Sequence, residues 1–554
     1  MSGHVNLFLS LKADKIRLFL QKDRPEVAKR DSSSSSEAEA ERVVEATKEL
    51  SKRARLTRTS TMEKVRRLEE DWQQKHTLFD NALLVTINDV IDSEKQVHIR
   101  KPVVSYSFRD DDQSCHIPAE LIFPDYSHSL LDINREEPLV KVNVNEEYIV
   151  SLTDGMGHRK NAYCIKFVIN DDNEGPSTSP AVFAIVSPMK NSNFYLEMAR
   201  MAVNYYKINP ARMKSFLKSI YRHQYATLMK KLFIHERGPN GNERILTIEN
   251  NQMHSKGYAG TCQMVKRISP EFMTCIIAAL LSEQRVLIAG NSIRATTQAV
   301  QTAETMLRPL VWPHTFVPII PDNLVDLCHN PTPFLMGILR KNLSLIHDLI
   351  ASKNVVEEDT FKENFVLFDV DNGMIVPPPL PYNDSLKPSE WRTLSALAFC
   401  ESKAMPRRIA LNLMDNLTQA CLQNSDDAVQ KAMLTWYSKL FGHYRHLDCH
   451  LQWDEEAKSK LIEHHKSKTY SKYLGFLTET ILFDEWIKQR VNFLNTKIEK
   501  NIENHEEEEQ SRIVAKIWED KQNNQARRSD KKTFGRMFNK VGNVFHFMRT
   551  SIRK

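Results

Sequence analysis

Three histidines and a cysteine crowd the segment GHYRHLDCH: His443, His446 and His450 fall at i, i+3 and i+7, with Cys449 beside them. On a helix that spacing stacks imidazoles on neighbouring turns, and imidazole with thiolate is a zinc donor set. The same residues, mixed with Tyr444 and Arg445, also suit packing or a wet surface, because closeness in sequence does not make four donors converge. Both readings stay open, and no metal site is assigned. The phosphate-cradling GxxxxGK[ST] loop, HExxH, GxSxG and the kinase signatures do not occur, so covalent catalysis is not expected and no cofactor is implied.

A second segment has unusual chemistry of another kind. RPLVWPHTFVPIIPDNLVDLCHNPTPF, residues 308–334, holds six of the chain's 23 prolines around one Trp and two His. Proline fixes φ and donates no hydrogen bond, so Pro309, Pro313, Pro318, Pro321, Pro331 and Pro333 must punctuate regular structure rather than lie within it. His314 and His329 suit hydrogen-bonded structural roles. Trp312 and Phe334 suit plain core packing, as large apolar side chains at strand ends usually do.

The elements that must position this segment follow from periodicity. Ser269, Pro270 and Glu271 are an N-cap, first helical position and first-turn acid, opening a helix through Leu281. RVLIAG (285–290) reads as a buried strand, 294–307 as a helix and TFVPII (315–320) as a strand, a βαβ unit with parallel pairing. Pro318 and Pro321 confine that last strand to an edge or its exit. FLMGIL (334–339) follows, and FVLFDVDNGMIV (365–376) reads as a hairpin turning at Asn372 and Gly373, with PPPLP (377–381) as a polyproline-II connector or an SH3 ligand. Beyond it the pattern is helical to about residue 525.

Upstream, β-branched runs at 82–89, 101–108, 147–153, 161–169 and 180–188 form an antiparallel meander with a Gly-bearing hairpin loop at TDGMGHR. Helical sequence follows from Phe194 to about Leu232, and 233–267 reads as a long loop with one strand at ILTI. Residues 1–77 are a polar tail in which DSSSSSEAEAER cannot bury a core and KRARLTRTSTMEK sets basic residues before Thr57, Thr59 and Ser60. That run suits a basic-directed kinase or a solvated linker.

At 554 residues the chain is long enough for several lobes, and a net charge of +6 is too small to designate a polyanionic partner; no nucleic acid is expected. Eight scattered cysteines without a CxxC pair suggest neither disulfide framework nor zinc ribbon. The N-terminal VNLFLSL lacks a basic flank and cleavage site, Gly3 is misplaced for myristoylation, and no apolar run reaches about 18 residues. A cytoplasmic protein is expected.

LLSEQRVLIAG (280–290), WPHTFVPIIP (312–321) and NPTPFLMGIL (330–339), in this order, resemble the central signature of DENN domains. LFDNALLVTI, KPVVSYSF, IPAELIFPD and VSLTDGMGHRKNAYC look like the upstream lobe of that family, and FVLFDVDN, LFGHYRHL and FLTETILFDEWIKQR like the downstream one. The wording of SYSF, HTFVPIIP and PTPFLMGIL is nearest the type 2 subgroup. Gln284 stands where the family usually has Arg and Pro313 where it usually has Gln.

The resemblance implies an α/β (α+β) tripartite module: an antiparallel longin-like lobe at 78–232, a central α/β lobe with parallel strands at 233–362, and a mainly helical lobe at 363–500; the charged helix and basic tail at 501–554 lie beyond it and resemble nothing in the DENN core. It further implies guanine nucleotide exchange on a Rab-family small GTPase at endosomal or Golgi membranes. Glu283, Gln284, Asp322, Asn323 and His329 are then candidate GTPase contacts, and Trp312, His314, Phe316, Pro318, Pro333 and Phe334 the scaffold of the signature loop. Two alternatives stand beside exchange. One is a scaffold or effector that holds the activated GTPase. The other is a hydrolysis-activating protein, for which Arg159 is the candidate arginine finger.

The last 28 residues, 527–554, carry nine Lys or Arg against one Asp, with Phe534, Met537, Phe538, Val541, Val544, Phe545, Met548 and Ile552 at helical spacing. A helix here would be basic and amphipathic, suited to an anionic membrane, an acidic partner or the protein's own body. Lys531, Lys532, Phe534, Arg536, Phe538, Phe545 and Arg549 are the membrane-contact candidates.

Overall fold

The computed structural model describes residues 76–91, 98–109, 117–126, 146–153, 159–170, 178–188, 191–221, 224–225, 231–237, 243–249, 260–347, 365–376, 380–381, 385–500 and 510–524. The kinase-directed Thr57, Thr59 and Ser60, the glycines of the TDGMGHR loop, Pro377–Pro379, most of HEEEEQ and the basic tail lie outside them.

The alternating upstream runs form a five-stranded antiparallel sheet from β1 (Asn81–Ile91), β2 (His98–Ser107), β3 (Glu146–Thr153), β4 (Arg159–Asn170) and β5 (Thr178–Ser187), in the order β2-β1-β5-β4-β3. The order departs from a simple meander because β1 pairs with β5. Period-2 alternation gives the sheet two apolar faces. Tyr163, Ile165 and Phe167 face the helices α1 (Ser192–Ile208) and α2 (Pro210–Tyr221), with Tyr163 stacked on Tyr195 at 4.7 Å. Ala162, Cys164, Val182 and Ala184 face the other way and pack with Ile293, Ile319 and Leu339 of the central lobe.

Between these lobes the expected helix to Leu232 and the long loop after it are corrected. The helix ends at Tyr221, and β6 (Lys231–Arg237) pairs antiparallel with β7 (Glu243–Glu249). The ILTI strand has its partner in the run around KLFI, which straddles the expected helix end and the start of the expected loop. A short helix, α3 (Thr261–Ile268), then buries Met264, Val265 and Ile268.

In the central lobe α4 (Pro270–Leu281) is capped by Ser269, whose Oγ accepts the Phe272 N–H at 3.3 Å. Every residue from Phe272 to Leu281 is buried. The parallel strands are β8 (Arg285–Gly290), β9 (Thr315–Val317), β10 (Phe334–Leu339) and β11 (Phe365–Asp369), with the antiparallel β12 (Met374–Val376) closing one side. The sheet order is β9-β10-β8-β11-β12. Helix α5 (Ile293–Met306) is the crossover. Its following strand does not lie beside β8 as the simple βαβ reading had it: β10 inserts between them, and β9, cut to three residues by Pro318, takes the edge. An edge strand is where a missing N–H is tolerated.

Five further helices, α6 (Pro388–Ser402), α7 (Arg407–Leu422), α8 (Asp426–Phe441), α9 (Glu455–Glu463) and α10 (Lys468–Thr478), precede α11 (Ile481–Lys500), and residues 510–524 are also helical. They share one apolar core with the central lobe, running from Met264 and Ile277 through Leu413 and Trp436 to Trp486 and Val514. Among the described residues no helix is long and apolar enough to cross a membrane.

Gly337 marks the tightest backbone approach, since a Cβ there would sit 2.1 Å from the Pro318 carbonyl oxygen. Gly337→Ala is expected to destabilise the chain by about 3 kcal/mol in urea melts. Gly475→Ala, within α10 where a Cβ meets only Ile462 Cδ1 at 3.8 Å, is expected to stabilise by about 0.5–1 kcal/mol.

Candidate functional site

The proline-rich segment is where the lobes meet. After α5 the chain passes the cis Arg308–Pro309 bond and turns at Trp312, which is buried with its indole N–H donating to the Thr315 carbonyl at 3.1 Å. His314 is buried against it, ring to ring at 4.9 Å. Phe316 and Phe334 are also buried, and Pro318 lies inside while Pro333 is partly covered. These scaffold residues therefore form the packed interior of the turn.

Two charged side chains hold this turn from opposite sides. Arg159, at the start of β4, donates from Nη2 to the carbonyls of Trp312 at 2.9 Å and His314 at 3.4 Å. Its guanidinium lies 4.9 Å from the Phe316 ring centroid and 3.8 Å from Glu304 Oε1. An arginine finger needs a guanidinium free to reach a partner's phosphate; this one is engaged by α5, the turn and an aromatic face, so the finger reading loses its candidate. From the other side Glu283 Oε1 lies 2.9 Å from His314 Nε2 and accepts the Leu482 N–H at 2.8 Å, at the start of α11.

The five polar candidates separate by burial. Gln284, 8% exposed, donates to the Ser282 carbonyl and accepts from Lys403 Nζ at 2.8 Å. Asp322 accepts from Asn342 Nδ2 at 2.7 Å, while its N–H donates to the Pro124 carbonyl at 3.0 Å. Asn323 and His329 are exposed. They lie on a 3₁₀ segment, Asp322–His329, that buries Val325 and Cys328. The segment kinks at Leu324, whose backbone leaves the helical region, and Asn323, Asp326 and His329 are all exposed along it. Asp326 was missed in the sequence, where only the spacing of three between polar residues could have signalled it.

The upstream lobe reaches the same region by separate contacts. Glu146 Oε1 accepts the Arg294 N–H at 2.7 Å at the start of α5, and Gln301 Nε2 donates to the Ile149 carbonyl at 3.1 Å. Burial raises the Glu146 carboxyl above its ordinary value, opposed by that N–H. Lys166 pairs with Asp125 at 2.8 Å, and Tyr148 donates to the Ile122 carbonyl at 2.7 Å, holding the segment whose Pro124 carbonyl receives Asp322.

The histidine cluster is not helical as expected. Helix α8 ends at Phe441, a 3₁₀ turn covers Gly442–Tyr444, and turns follow to Leu451. Gly442 permits the 510–524 helix to lie close, since a Cβ would be 2.7 Å from Trp518 Cβ. His443 Nε2 is 2.8 Å from the Leu461 carbonyl, and His443, His446 and His464 surround the Trp518 ring at 5.4–6.1 Å. Cys449 is buried with Sγ toward the Ala457 carbonyl at 3.5 Å, and burial pushes its thiol up to about 11. Among the described residues no three metal-ligating groups converge.

Residues 178–372, from β5 through the signature turn to the β11–β12 connection, match the DENN (AEX-3) domain family. The tripartite architecture and the three spaced motifs agree with that match, and this part of the chain is similar to a DENN domain. It is similar to DENN domain-containing protein 2A of Homo sapiens, 21% identical over 351 residues covering 62% of this chain and 33% of that protein. DENN domain-containing protein 2C of Homo sapiens is 23% identical over 352 residues, 62% of this chain and 35% of that protein. DENN domain-containing protein 2B of Mus musculus is 20% identical over 434 residues, 76% and 35% respectively. The type 2 wording of the motifs agrees with these matches. The chain spans about a third of the length of these curated relatives.

Burial, then the neighbouring imidazoles of His465, His464 and His446, pull His443 down from 6.5 to about 4, against the Leu461 carbonyl, which favours the charged form. The folded state therefore holds this ring neutral, and its contribution is complete above pH 6.5 and lost as the pH falls toward 4. Urea melts are expected to show on the order of 2–3 kcal/mol less stability at pH 4.5 than at pH 7 from this group alone. His443→Gln, which keeps a donor for the Leu461 carbonyl, is expected to flatten that dependence.

Proposed function

We propose that the chain is a guanine nucleotide exchange factor for a Rab-family small GTPase, acting in endosomal or Golgi trafficking without covalent chemistry. The observation that carries this is a match to the DENN family over a signature turn held by Arg159 of the upstream lobe and by Glu283, which also reaches the downstream lobe, beside the exposed Asn323, Asp326 and His329. Nucleotide and magnesium hold a GTPase's switch loops in one arrangement. A surface that binds the opened switches more tightly than the closed ones weakens nucleotide binding by the same factor. Shifting that equilibrium strongly takes several kcal/mol of differential affinity, which a preorganised surface delivers with little ordering cost.

In this reading Asn323 and His329, with Asp326 between them, touch the GTPase, while Glu283, Gln284 and Asp322 brace the surface from beneath. The second reading, an effector that holds the activated GTPase, differs in preferring the GTP-bound over the nucleotide-free form, and a pulldown of the two states separates them. Release of labelled GDP across a panel of Rab proteins is expected to accelerate for one or a few members. Asn323→Ala with His329→Ala is expected to reduce that acceleration at least tenfold, with the melting temperature unchanged. No acceleration across the panel would end the exchange reading.

The composition of the tail supports peripheral contact with an anionic membrane through Lys531, Lys532, Phe534, Arg536, Phe538, Phe545 and Arg549, which would concentrate the protein beside a lipidated GTPase. Co-sedimentation with phosphatidylserine vesicles is expected to fall sharply for a chain ending at Asp530. Equal recovery of the two chains would remove the tail from the proposal.

A further inference from the structure

Helix α4 closes with the Glu283 N–H on the Leu280 carbonyl and the Gln284 N–H on the Ala279 carbonyl, both at 3.0 Å. This is the Schellman arrangement, whose reversing residue takes left-handed backbone and is most often glycine. Here that residue is Glu283, with φ at 52°. A Cβ is disfavoured in that conformation, and such strain persists where the surroundings hold the residue to a task.

The task is visible at the other end of the side chain. One carboxylate oxygen meets both the His314 ring of the signature turn and the first turn of α11, 199 residues further along the chain. A carboxylate only accepts, so His314 Nε2 carries the proton. The Leu482 N–H is one of the helix-end donors with no partner inside the helix, where negative charge is favoured. The left-handed turn is what carries the side chain out of the end of α4 toward both.

We propose that Glu283 is a positioning residue: it fixes α11 of the downstream lobe to the signature turn and so sets the spacing of the surfaces that would hold the opened GTPase. Its effect on exchange rests on the exchange reading above. The clasp itself does not.

The test uses the full chain and two variants, E283G and E283Q. E283G relieves the backbone strain while deleting the carboxylate. E283Q keeps both the strain and the shape, and its amide oxygen still accepts a hydrogen bond. Hydrogen exchange is expected to show the Leu482 amide at least tenfold faster in E283G than in the unaltered chain, with protection partly restored in E283Q. In GDP-release assays E283G is expected to lower kcat at least tenfold with the half-saturating exchange-factor concentration little changed, and E283Q to recover part of that loss.

Unchanged Leu482 protection in E283G would overturn the clasp. Faster exchange at Leu482 with undiminished GDP release would overturn its role in positioning. A purely local role in ending α4 predicts E283G to equal or exceed the unaltered chain in every measurement. If the unaltered chain releases GDP from no Rab protein, the exchange reading and the catalytic half of this inference fall together, and the amide measurement alone decides the clasp.

Discussion

The structure depends on holding one turn, Trp312–Phe316, against both of its neighbours. Arg159 does this with a planar fork, which can serve two carbonyls while its face lies on Phe316. Lysine, a point charge, could not take both geometries. The turn carries carbonyls toward one lobe and an imidazole toward the other, so a single short segment receives a cation on one side and a carboxylate on the other. Proline keeps the intervening backbone from relaxing away from either.

Both lobe contacts use the same electrical device. Glu146 accepts the N–H at the start of α5, and Glu283 accepts the one at the start of α11. A helix N-terminus presents unpaired donors and partial positive charge, so a carboxylate from another lobe satisfies a group that would otherwise need water or a local cap. Apolar burial adds mass to these links without direction. Ile293, Ile319 and Leu339 close the upstream contact, and one continuous core merges the central and downstream lobes. The 510–524 helix joins that core at its far side, where Ser511 is met by Trp486, Arg490 and Tyr444.

Much of the fold was legible because local physics writes it. Ser269, Pro270 and Glu271 announce a helix start by caps whose partners lie within a turn, and RVLIAG announces a doubly covered strand by its unbroken apolar run. Prolines at 318 and 321 pointed to an edge because a missing donor is tolerated there. The site was less legible. Glu283, Gln284, Asp322, Asn323 and His329 look alike as polar residues near a motif, yet burial separates three braced side chains from two exposed ones. Arg159 stands out in the sequence only as the candidate for an arginine finger that nothing nearby fixes beside a phosphate, and its actual partners, the Trp312 and His314 carbonyls, lie more than 150 residues away along the chain.

The sequence by itself determined which segments are helix or strand in most of the described residues and where the chain must bend, because caps, alternation and proline act over a few residues; its three spaced motifs carried the resemblance to DENN domains. The tertiary structure alone decided that β10 inserts between β8 and β9, that the histidine segment leaves its helix at Gly442, and that Arg159 and Glu283 converge on one turn. Those outcomes depend on distances between groups far apart along the chain, and no local pattern of residue types specifies which of many compatible partners a charged side chain will meet.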